Sequence, residues 1–221
     1  MKIDLHIHTK EDSVDEDLDY SMKDVIDKAK EKGIEVIAFT FHDRYFSNKK
    51  ISDYAKKKEI LIIPGVEKTI EGKHVLIYNC KTDVSKINTF KDLKELRKQK
   101  NVLIGAPHPF FKDGTCLGRK IVKYLYLFDF VEYCWFHTKL INFNKKAVKI
   151  SKKYNIPLLA TTDLHHLKHF GNYYTEVSCK KTISSVINTI KKGKINRIVS
   201  PNVSYKEIFR ISWEVLCLRF N

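Results

Sequence analysis

Two histidines near the start of the chain, His6 and His8, have the spacing that most directly indicates chemistry. They lie one residue apart in a strand-like stretch, so both side chains point to the same face and can hold one metal ion together. Two histidines can also occur by chance on an exposed edge strand. The pair therefore leaves a metal site and a surface strand open as alternatives, and the other histidines and acids must decide between them.

Extended and amphipathic segments alternate along the whole chain, and these elements would position the histidines. The pattern is typical of a parallel sheet wrapped by helices, an α/β fold, and no linker or composition shift divides it into domains. Strands are predicted over residues 3–7, 35–40, 60–63, 74–78, 102–106, 128–134 and 158–162. Helices are predicted over residues 22–32, 89–99, 144–153 and 184–192.

A histidine or an acid stands at the end of most predicted strands. These residues are His6, His8, His42, Asp43, Glu67, His108, Asp163 and His165. A single histidine after a strand is usually a surface or capping residue, so the repetition is what favours a shared site. Because the carboxyl ends of parallel barrel strands open onto one face, we expect these side chains to converge on a single mouth.

The order and spacing of six short motifs resemble those of the PHP domain, the polymerase and histidinol phosphatase superfamily. The motifs are Asp4-Leu5-His6-Ile7-His8-Thr9, Thr40-Phe41-His42-Asp43, Pro64-Gly65-Val66-Glu67, Ala106-Pro107-His108-Pro109, Phe128-Asp129-Phe130-Val131-Glu132 and Thr162-Asp163-Leu164-His165. The resemblance implies a distorted (β/α)7 TIM-like barrel over residues 1–200 that binds two to three divalent ions, Zn, Mn or Fe. Residues 201–221 lie beyond it and are expected to form a helical tail.

The resemblance also implies three sets of metal ligands. The first set is His6, His8, Glu67 and Asp163. The second set shares Glu67 as a bridge and adds His108 and His74. The third set is His42, His165 and a carboxylate from the loop after His8, for which Asp12 is preferred and Asp15 is the alternative. An acidic loop over residues 11–19 that is merely solvated remains the competing interpretation.

Several polar residues near these motifs are expected to support the chemistry. Glu67 and Asp163 are assigned catalytic as well as ligand roles, and Arg44 is expected to bind a substrate phosphate. Phe41 stands where the family usually has an acid that orients a ligand histidine, and Asp43 is expected to compensate. Weaker candidates for phosphate contacts are Lys112 and Arg119. Residues expected to order the mouth are Glu132 and Asn144.

Composition gives a first indication of the partner. The chain has 41 Lys and Arg against 26 Asp and Glu, a formal net charge of +15, which favours a small anionic phosphoester substrate. Only six of these basic residues are arginine, and specific nucleic-acid recognition relies on Arg more than on Lys, so nucleic acid is the less favoured partner. Five widely spaced cysteines without a CxxC pair indicate no disulfide framework.

Two further expectations concern location and the tail. The sequence shows neither a signal peptide nor the ~20-residue apolar run of a spanning helix, so a soluble cytoplasmic protein is expected. The tail is expected to pack across the base of the barrel, with a partner or membrane-surface contact as the alternative. Its apolar residues are Ile208, Phe209, Ile211, Trp213, Val215, Leu216 and Leu218.

These expectations combine into one functional hypothesis. The chain would be a metal-dependent phosphoesterase that hydrolyses a small phosphomonoester or nucleotide by attack of metal-bound hydroxide. The alternatives are a 3'-5' exonuclease or phosphodiesterase acting on nucleic acid, an amidohydrolase, and a non-catalytic PHP-like scaffold. An amidohydrolase usually bridges its ions with a carbamylated lysine, whereas Glu67 fits a carboxylate bridge.

Overall fold

The computed structural model describes residues 1–210. Its strands are β1 (Lys2–Ile7), β2 (Ile34–Phe39), β3 (Leu61–Ile62), β4 (Gly65–Ile70), β5 (Lys73–Tyr78), β6 (Leu103–Ala106), β7 (Phe130–Tyr133), β8 (Leu158–Ala160), β9 (Tyr174–Val177) and β10 (Ile195–Val199). Its helices are α1 (Met22–Lys32), α2 (Lys49–Lys57), α3 (Phe90–Leu96), α4 (Lys120–Tyr124), α5 (Asn144–Tyr154) and α6 (Ile183–Lys191). The predicted α/β class is confirmed.

The strands form two mixed five-stranded sheets, in the orders β10-β9-β1-β2-β3 and β4-β5-β6-β7-β8. The sheets meet along two seams rather than in one continuous seven-stranded ladder. At the first seam the Glu67 amide donates to the Phe41 carbonyl over 3.2 Å. At the second seam the Ala160 amide donates to the Thr175 hydroxyl over 2.9 Å. Within residues 1–210 the hydrogen bonds therefore give two sheets that enclose a common interior.

The strand containing Glu67 differs from the prediction. Glu67 does not follow a strand but lies inside β4, a strand that the sequence pattern did not predict. This strand pairs antiparallel with β5. Glu71 and Gly72, at φ 47° and 71°, form the two-residue turn between them, a conformation typical of tight hairpins. Because β5 runs back from this turn, His74 at its start stands opposite Thr69 on the same side as the ends of the parallel strands.

Three groups of buried apolar residues hold this arrangement. One lies between the first sheet and α1 and α2, and a second lies between the second sheet and α3, α4 and α5. The third fills the interior and includes Leu5, Leu76 and Phe130, together with α6. The Tyr78 hydroxyl crosses this interior and donates to the Leu5 carbonyl over 2.7 Å. Apolar side chains therefore fill the interior beneath the site, and none of them is exposed.

The described part of the tail packs beside the segment after β7, and the expectation that the tail crosses the base of the barrel stays a prediction. Residues 205–210 are helical, and Ile208 packs against Trp135 and Tyr173. Glu207 lies 3.0 Å from the Nε2 atom of His169. The remaining predicted tail residues, from 211 onward, lie outside the described residues. Among residues 1–210, no helix combines the length and apolar composition needed to cross a bilayer.

Gly105 in β6 provides a test of the interior packing. A methyl group at this position would overlap the ring of Phe130 on the neighbouring strand. We expect Gly105→Ala to lower the free energy of unfolding by about 1–3 kcal/mol, measured by urea denaturation in EDTA, because overpacking forces the ring or the strand to move. Gly114→Ala is the matched control, since its new methyl group meets open space. Equal stability of the two variants would contradict the described packing of β6 on β7.

Candidate metal centre

Four side chains converge at the end of β1 with the spacing of ligands around one ion. The Nε2 atoms of His6 and His8 lie 3.1 Å apart, and each lies 3.3 Å from Oε2 of Glu67. Oδ1 of Asp163 lies 3.4 Å from His6 Nε2 and 3.6 Å from His8 Nε2. Two ligand atoms at tetrahedral positions on a zinc-sized ion are about 3.4 Å apart. This is the first predicted ligand set, brought together from three parts of the chain.

Glu67 also faces a second group of imidazoles. Its other oxygen, Oε1, lies 2.9 Å from Nδ1 of His74 and 3.1 Å from Nε2 of His108. The side chain is almost wholly buried, so its orientation is fixed by its neighbours rather than by solvent. One carboxylate therefore directs its two oxygens toward two different sets of nitrogen atoms, as a bridging ligand does.

A third cluster lies between the acidic loop and His42. Oδ2 of Asp12 lies 2.9 Å from Nδ1 of His42 and 3.1 Å from Nδ1 of His8. Asp15 also reaches this cluster, with Oδ2 3.2 Å from His8 Nδ1 and Oδ1 3.6 Å from His165 Nε2. Asp12 and Asp15 thus both face the cluster, and the competing picture of a solvated loop does not hold for these two side chains. The preference for Asp12 as the loop ligand stays a prediction.

The carboxylates give the centre a strong negative potential. Burial alone lowers the pKa of His6, but the charges of Asp163, Glu67 and Glu132 outweigh it and raise that pKa to about 10. Burial raises the pKa of Glu67, yet the imidazoles beside it, His6 first, hold it well below its usual range. The centre therefore attracts positive charge, which protons on the rings or bound cations can supply.

The donor set fits divalent ions. Oδ2 of Asp15 and Nδ1 of His74 are shielded from solvent, and although they lie 3.2 Å from His8 Nδ1 and 2.9 Å from Glu67 Oε1, neither contact has the geometry of a hydrogen bond. Atoms of this kind are costly to bury unless another partner satisfies them. Mixed imidazole and carboxylate ligands suit Zn, Mn or Fe better than Mg or Ca. The residues present therefore fit the two to three ions that the sequence predicts.

Glu132 and Asn144 order the mouth from behind the ligands, as the sequence predicts. Oε1 of Glu132 lies 2.9 Å from Nδ1 of His6, and its Oε2 accepts the amide hydrogen of His108 over 2.6 Å. Asn144 accepts from the Cys134 amide and donates to the Cys134 carbonyl, each over 2.8 Å. Glu132 thus sets the orientation of two ligand histidines, and Asn144 fixes the chain that follows β7.

The contacts of the residues near His42 match the expectations only in part. These residues are Phe41, Asp43 and Arg44. Phe41 is buried among Phe39 and other apolar residues and supports Arg44, whose guanidinium lies 4.6 Å above its ring. Asp43 accepts from Lys68 and from the Thr69 amide, over 2.7 and 2.9 Å, so it does not replace the missing acid and that expectation is wrong. Arg44 is exposed and donates to a carbonyl of the acidic loop. Its phosphate-binding role stays a prediction.

Two features of the site gave no signal in the sequence. Sγ of Cys116 lies 3.2 Å from Nδ1 of His108, a position where a metal-ligand histidine more often has a carboxylate or carbonyl partner. His108 and Asp163 adopt left-handed backbone conformations, with φ of 25° and 45°. Such conformations cost energy for residues with side chains and cluster at functional sites.

Two protein-family models match this chain. The PHP domain model matches residues 4–115, and the model of a PHP-associated region matches residues 142–195. The matched segments include the strands that carry the first histidines and Glu67. The chain belongs to the PHP domain family.

Individual proteins resemble the chain in sequence or in fold. Uncharacterized protein MJ1587 of Methanocaldococcus jannaschii is 31% identical over 134 residues, which is 55% of this chain and 75% of that protein. A two-domain protein from Bacteroides vulgatus, described as containing a predicted PHP-like metal-dependent phosphoesterase, has a TM-score of 0.70 at 18% identity, covering 97% of this chain and 69% of that one. An amidohydrolase from Chromobacterium violaceum has a TM-score of 0.62 at 13% identity, covering 89% and 98%. These two structures show likeness of fold.

Replacing the Glu132 carboxylate, which lies beside the His6 ring, tests whether this side chain supports metal binding. We expect Glu132→Gln to weaken divalent metal binding by ~10–100-fold, because the amide no longer fixes and polarises the His6 ring. Competition with a chromogenic chelator measures this affinity. The control is Glu31→Gln, at an exposed position on α1. Unchanged affinity in Glu132→Gln would contradict the proposed role of this carboxylate.

The acidic loop can be tested separately. We expect Asp15→Asn to lower metal content by about one ion per chain after reconstitution, since its shielded oxygen faces the third cluster. Elemental analysis measures the content. Asp17→Asn is the matched control, because Asp17 is exposed in the same loop. Full metal content in Asp15→Asn would leave Asp12 as the loop ligand.

Proposed function

We propose that the chain is a metal-dependent phosphoesterase that hydrolyses a small phosphomonoester or nucleotide. The observation that carries the proposal is the orientation of Glu67, whose two oxygens face separate nitrogen sets at 2.9–3.3 Å. A carboxylate in this position keeps two cations close enough to act on the same phosphoryl group.

Some of these residues would hold ions, and others would position the substrate. The bound ions would activate a water molecule and neutralise charge on phosphoryl oxygens. His6, His8 and Asp163 would hold one ion, and His74 and His108 would hold the next. The side chains of His165 and Asp163 keep 39% and 18% of their surface exposed, so a phosphate would approach from their side.

Arg44 would bind the remaining phosphate oxygens. It is exposed beside the acidic loop, and its guanidinium is held in place by the Phe41 ring below it. A guanidinium held in this way can present two parallel N–H groups to a phosphate at little entropic cost. The net charge of +15 further favours an anionic substrate.

The geometry favours this proposal over its two rivals. Within the described residues the bridging position belongs to Glu67, and its neighbour Lys68 is directed to Asp43 at 2.7 Å. An amidohydrolase-type lysine bridge therefore has no candidate there. A non-catalytic scaffold would be expected to lose ligands, whereas all nine predicted metal-site residues are present and meet in three adjoining clusters.

Hydrolysis by reconstituted protein tests the proposal. We expect the full chain loaded with Mn, Zn or Fe to cleave a nitrophenyl phosphomonoester, and we expect His8→Ala and Glu67→Ala to lower kcat at least ~1,000-fold by removing the ions' common ligands. Circular dichroism in EDTA should show that both variants keep their secondary structure.

The outcomes separate the alternatives. Turnover of a phosphodiester reporter alone would favour the exonuclease or phosphodiesterase class. Retained turnover in Glu67→Ala would show that the bridge is misassigned. Absence of turnover with all three metals, together with failure to retain metal in elemental analysis, would favour the scaffold.

A further inference from the structure

The loop between β7 and α5 exposes two large apolar side chains at its tip. Leu140 and Ile141 have 79% and 52% of their surface exposed. The Thr138 amide donates to the Ile141 carbonyl over 2.8 Å, and the Ile141 amide donates to the Thr138 hydroxyl over 2.9 Å. These two bonds close a tight turn, so a defined conformation presents both side chains to solvent. We call Leu140 and Ile141 the apolar tip.

Buried contacts fix the base of the same loop. The ring of His137 is buried, with Nδ1 3.2 Å from Oδ1 of Asn202 and Nε2 3.0 Å from the hydroxyl of Ser200. The Val203 amide donates to the His137 carbonyl over 2.8 Å. Turns usually carry Gly, Asn, Asp or Ser at their exposed positions. Two large aliphatic residues on a turn held at both ends therefore call for a function.

A third exposed apolar side chain lies on the segment that holds the loop. Ile208 packs against Trp135 at the start of the loop, and Phe209, the next residue, is 78% exposed. Single exposed apolar residues are common on protein surfaces, whereas a group of them marks an interaction site. The loop and the helical residues 205–210 together present such a group.

Lysines flank the apolar tip. Residues 133–162 contain six lysines and no acidic residue. One of them precedes the tip, and two more lie in the first turn of α5 just after it. With a further lysine from the segment after β6 they form the lysine collar, whose members are all exposed: Lys112, Lys139, Lys145 and Lys146. Within residues 1–210 no member of the collar forms an ion pair.

The acids near the loop do not cancel this charge. Asp113 accepts from the amide and the hydroxyl of Thr115, each over 2.7 Å, and offsets at most one of the four lysines. Glu207 is already paired, with Lys168 at 2.6 Å and with Arg210 at 2.7 Å. The surroundings of the tip therefore keep a net positive charge.

The collar borders the mouth of the metal centre. Nζ of Lys146 lies 6.0 Å from the centre of the Phe110 ring, two residues after the predicted ligand His108. Nζ of Lys112 lies 5.8 Å from the centre of the Phe143 ring, directly before α5. A partner that covers the tip and the collar therefore lies beside the mouth.

We propose that the apolar tip and the lysine collar dock the protein on an anionic phospholipid surface. Leu140 and Ile141 enter the boundary between headgroups and acyl chains, where burial of their side chains favours binding. The lysines remain among the headgroups and are attracted by the negative surface potential of anionic lipids. This docking goes beyond the proposed phosphoesterase function and does not depend on it.

Shape and charge favour this occupant over the others. A symmetric contact between two copies would bring the two collars together, and like charges repel. A nucleic-acid strand would gain little from the tip, because bases stack on aromatic rings rather than on Leu or Ile. A stable protein partner needs a matched interface of about 1,200 Å² or more. A bilayer accepts a projecting tip without any matching groove.

Sedimentation of the full chain with sucrose-loaded vesicles in EDTA tests the role of charge. We expect vesicles of phosphatidylcholine with about 30% phosphatidylserine to be bound at least ~10-fold more tightly than phosphatidylcholine alone. Lys139→Glu/Lys145→Glu should weaken binding to the anionic vesicles at least ~10-fold. The control is Lys56→Glu/Lys57→Glu, the same charge change at exposed positions of α2, which should weaken binding less than ~3-fold.

The tip is tested by Leu140→Ser, with Val14→Ser as the matched control. Val14 is 64% exposed, but it lies in the acidic loop between Asp12 and Asp15. We expect Leu140→Ser to weaken binding to anionic vesicles roughly 5-fold or more, and Val14→Ser less than ~2-fold. On the same vesicles the emission of Leu140→Trp should shift to shorter wavelengths, because its indole enters the bilayer, while that of Val14→Trp should not.

Several outcomes would overturn the proposal. Equal binding to the two kinds of vesicle, or equal losses in the Leu140 and Val14 variants, would exclude specific docking by this surface. A loss in the lysine variant alone, with unshifted emission of Leu140→Trp, would reduce the contact to electrostatic attraction without insertion. A dimer in sedimentation velocity that Leu140→Ser dissociates would assign the tip to a second copy of the chain. Because all these measurements are made in EDTA, their failure leaves the phosphoesterase proposal untouched.

Discussion

The structure depends on placing the Glu67 carboxylate, almost wholly buried, among five imidazoles. An isolated carboxylate in an apolar interior would bind a proton rather than stay charged. Here the surrounding rings hold its pKa low, and they belong to His6, His8, His42, His74 and His108. Those rings come from β1 and the residue after it, from the segments after β2 and β6, and from β5. The charged state of this one side chain therefore requires both sheets to be correctly joined.

The antiparallel hairpin makes this junction possible. A parallel arrangement would bring a histidine to the mouth only after a strand end, once per crossover. By turning back at Glu71 and Gly72, the chain places Glu67 on one strand and His74 on the next, within the same short element. The hydrogen bond that the Glu67 amide donates to the carbonyl of Phe41 then attaches this hairpin to the first sheet. Glu67 therefore belongs both to the seam between the sheets and to the cluster of predicted ligands.

The sequence was most informative where a side chain follows a regular period. The two-residue spacing of His6 and His8, the helix over Met22–Lys32, and the strand-end histidines could all be predicted, since each depends on local pattern. The β4–β5 hairpin was missed because Lys68 and Thr69 interrupt the apolar run, and Lys68 is matched only by Asp43 on a distant segment. The support of His6 by Glu132 spans 126 residues, and nothing local marks it. Family resemblance supplied the ligand sets that periodicity could not.

The distribution of charge explains why centre and surface must differ in sign. The interior gathers Asp12, Asp15, Glu67 and Asp163 within a protein whose net charge is +15. With neither bound cations nor protonated rings this cluster would repel a phosphate at close range, however strongly the surface attracts it from a distance. Attraction along the exterior falls off with salt over about 10 Å, whereas the buried cluster is screened much less. Affinity for an anion at the mouth should therefore follow the positive charge that metal ions or protons bring to the cluster. Approach to the mouth should follow the exposed lysines, so the two quantities can be changed independently by mutation.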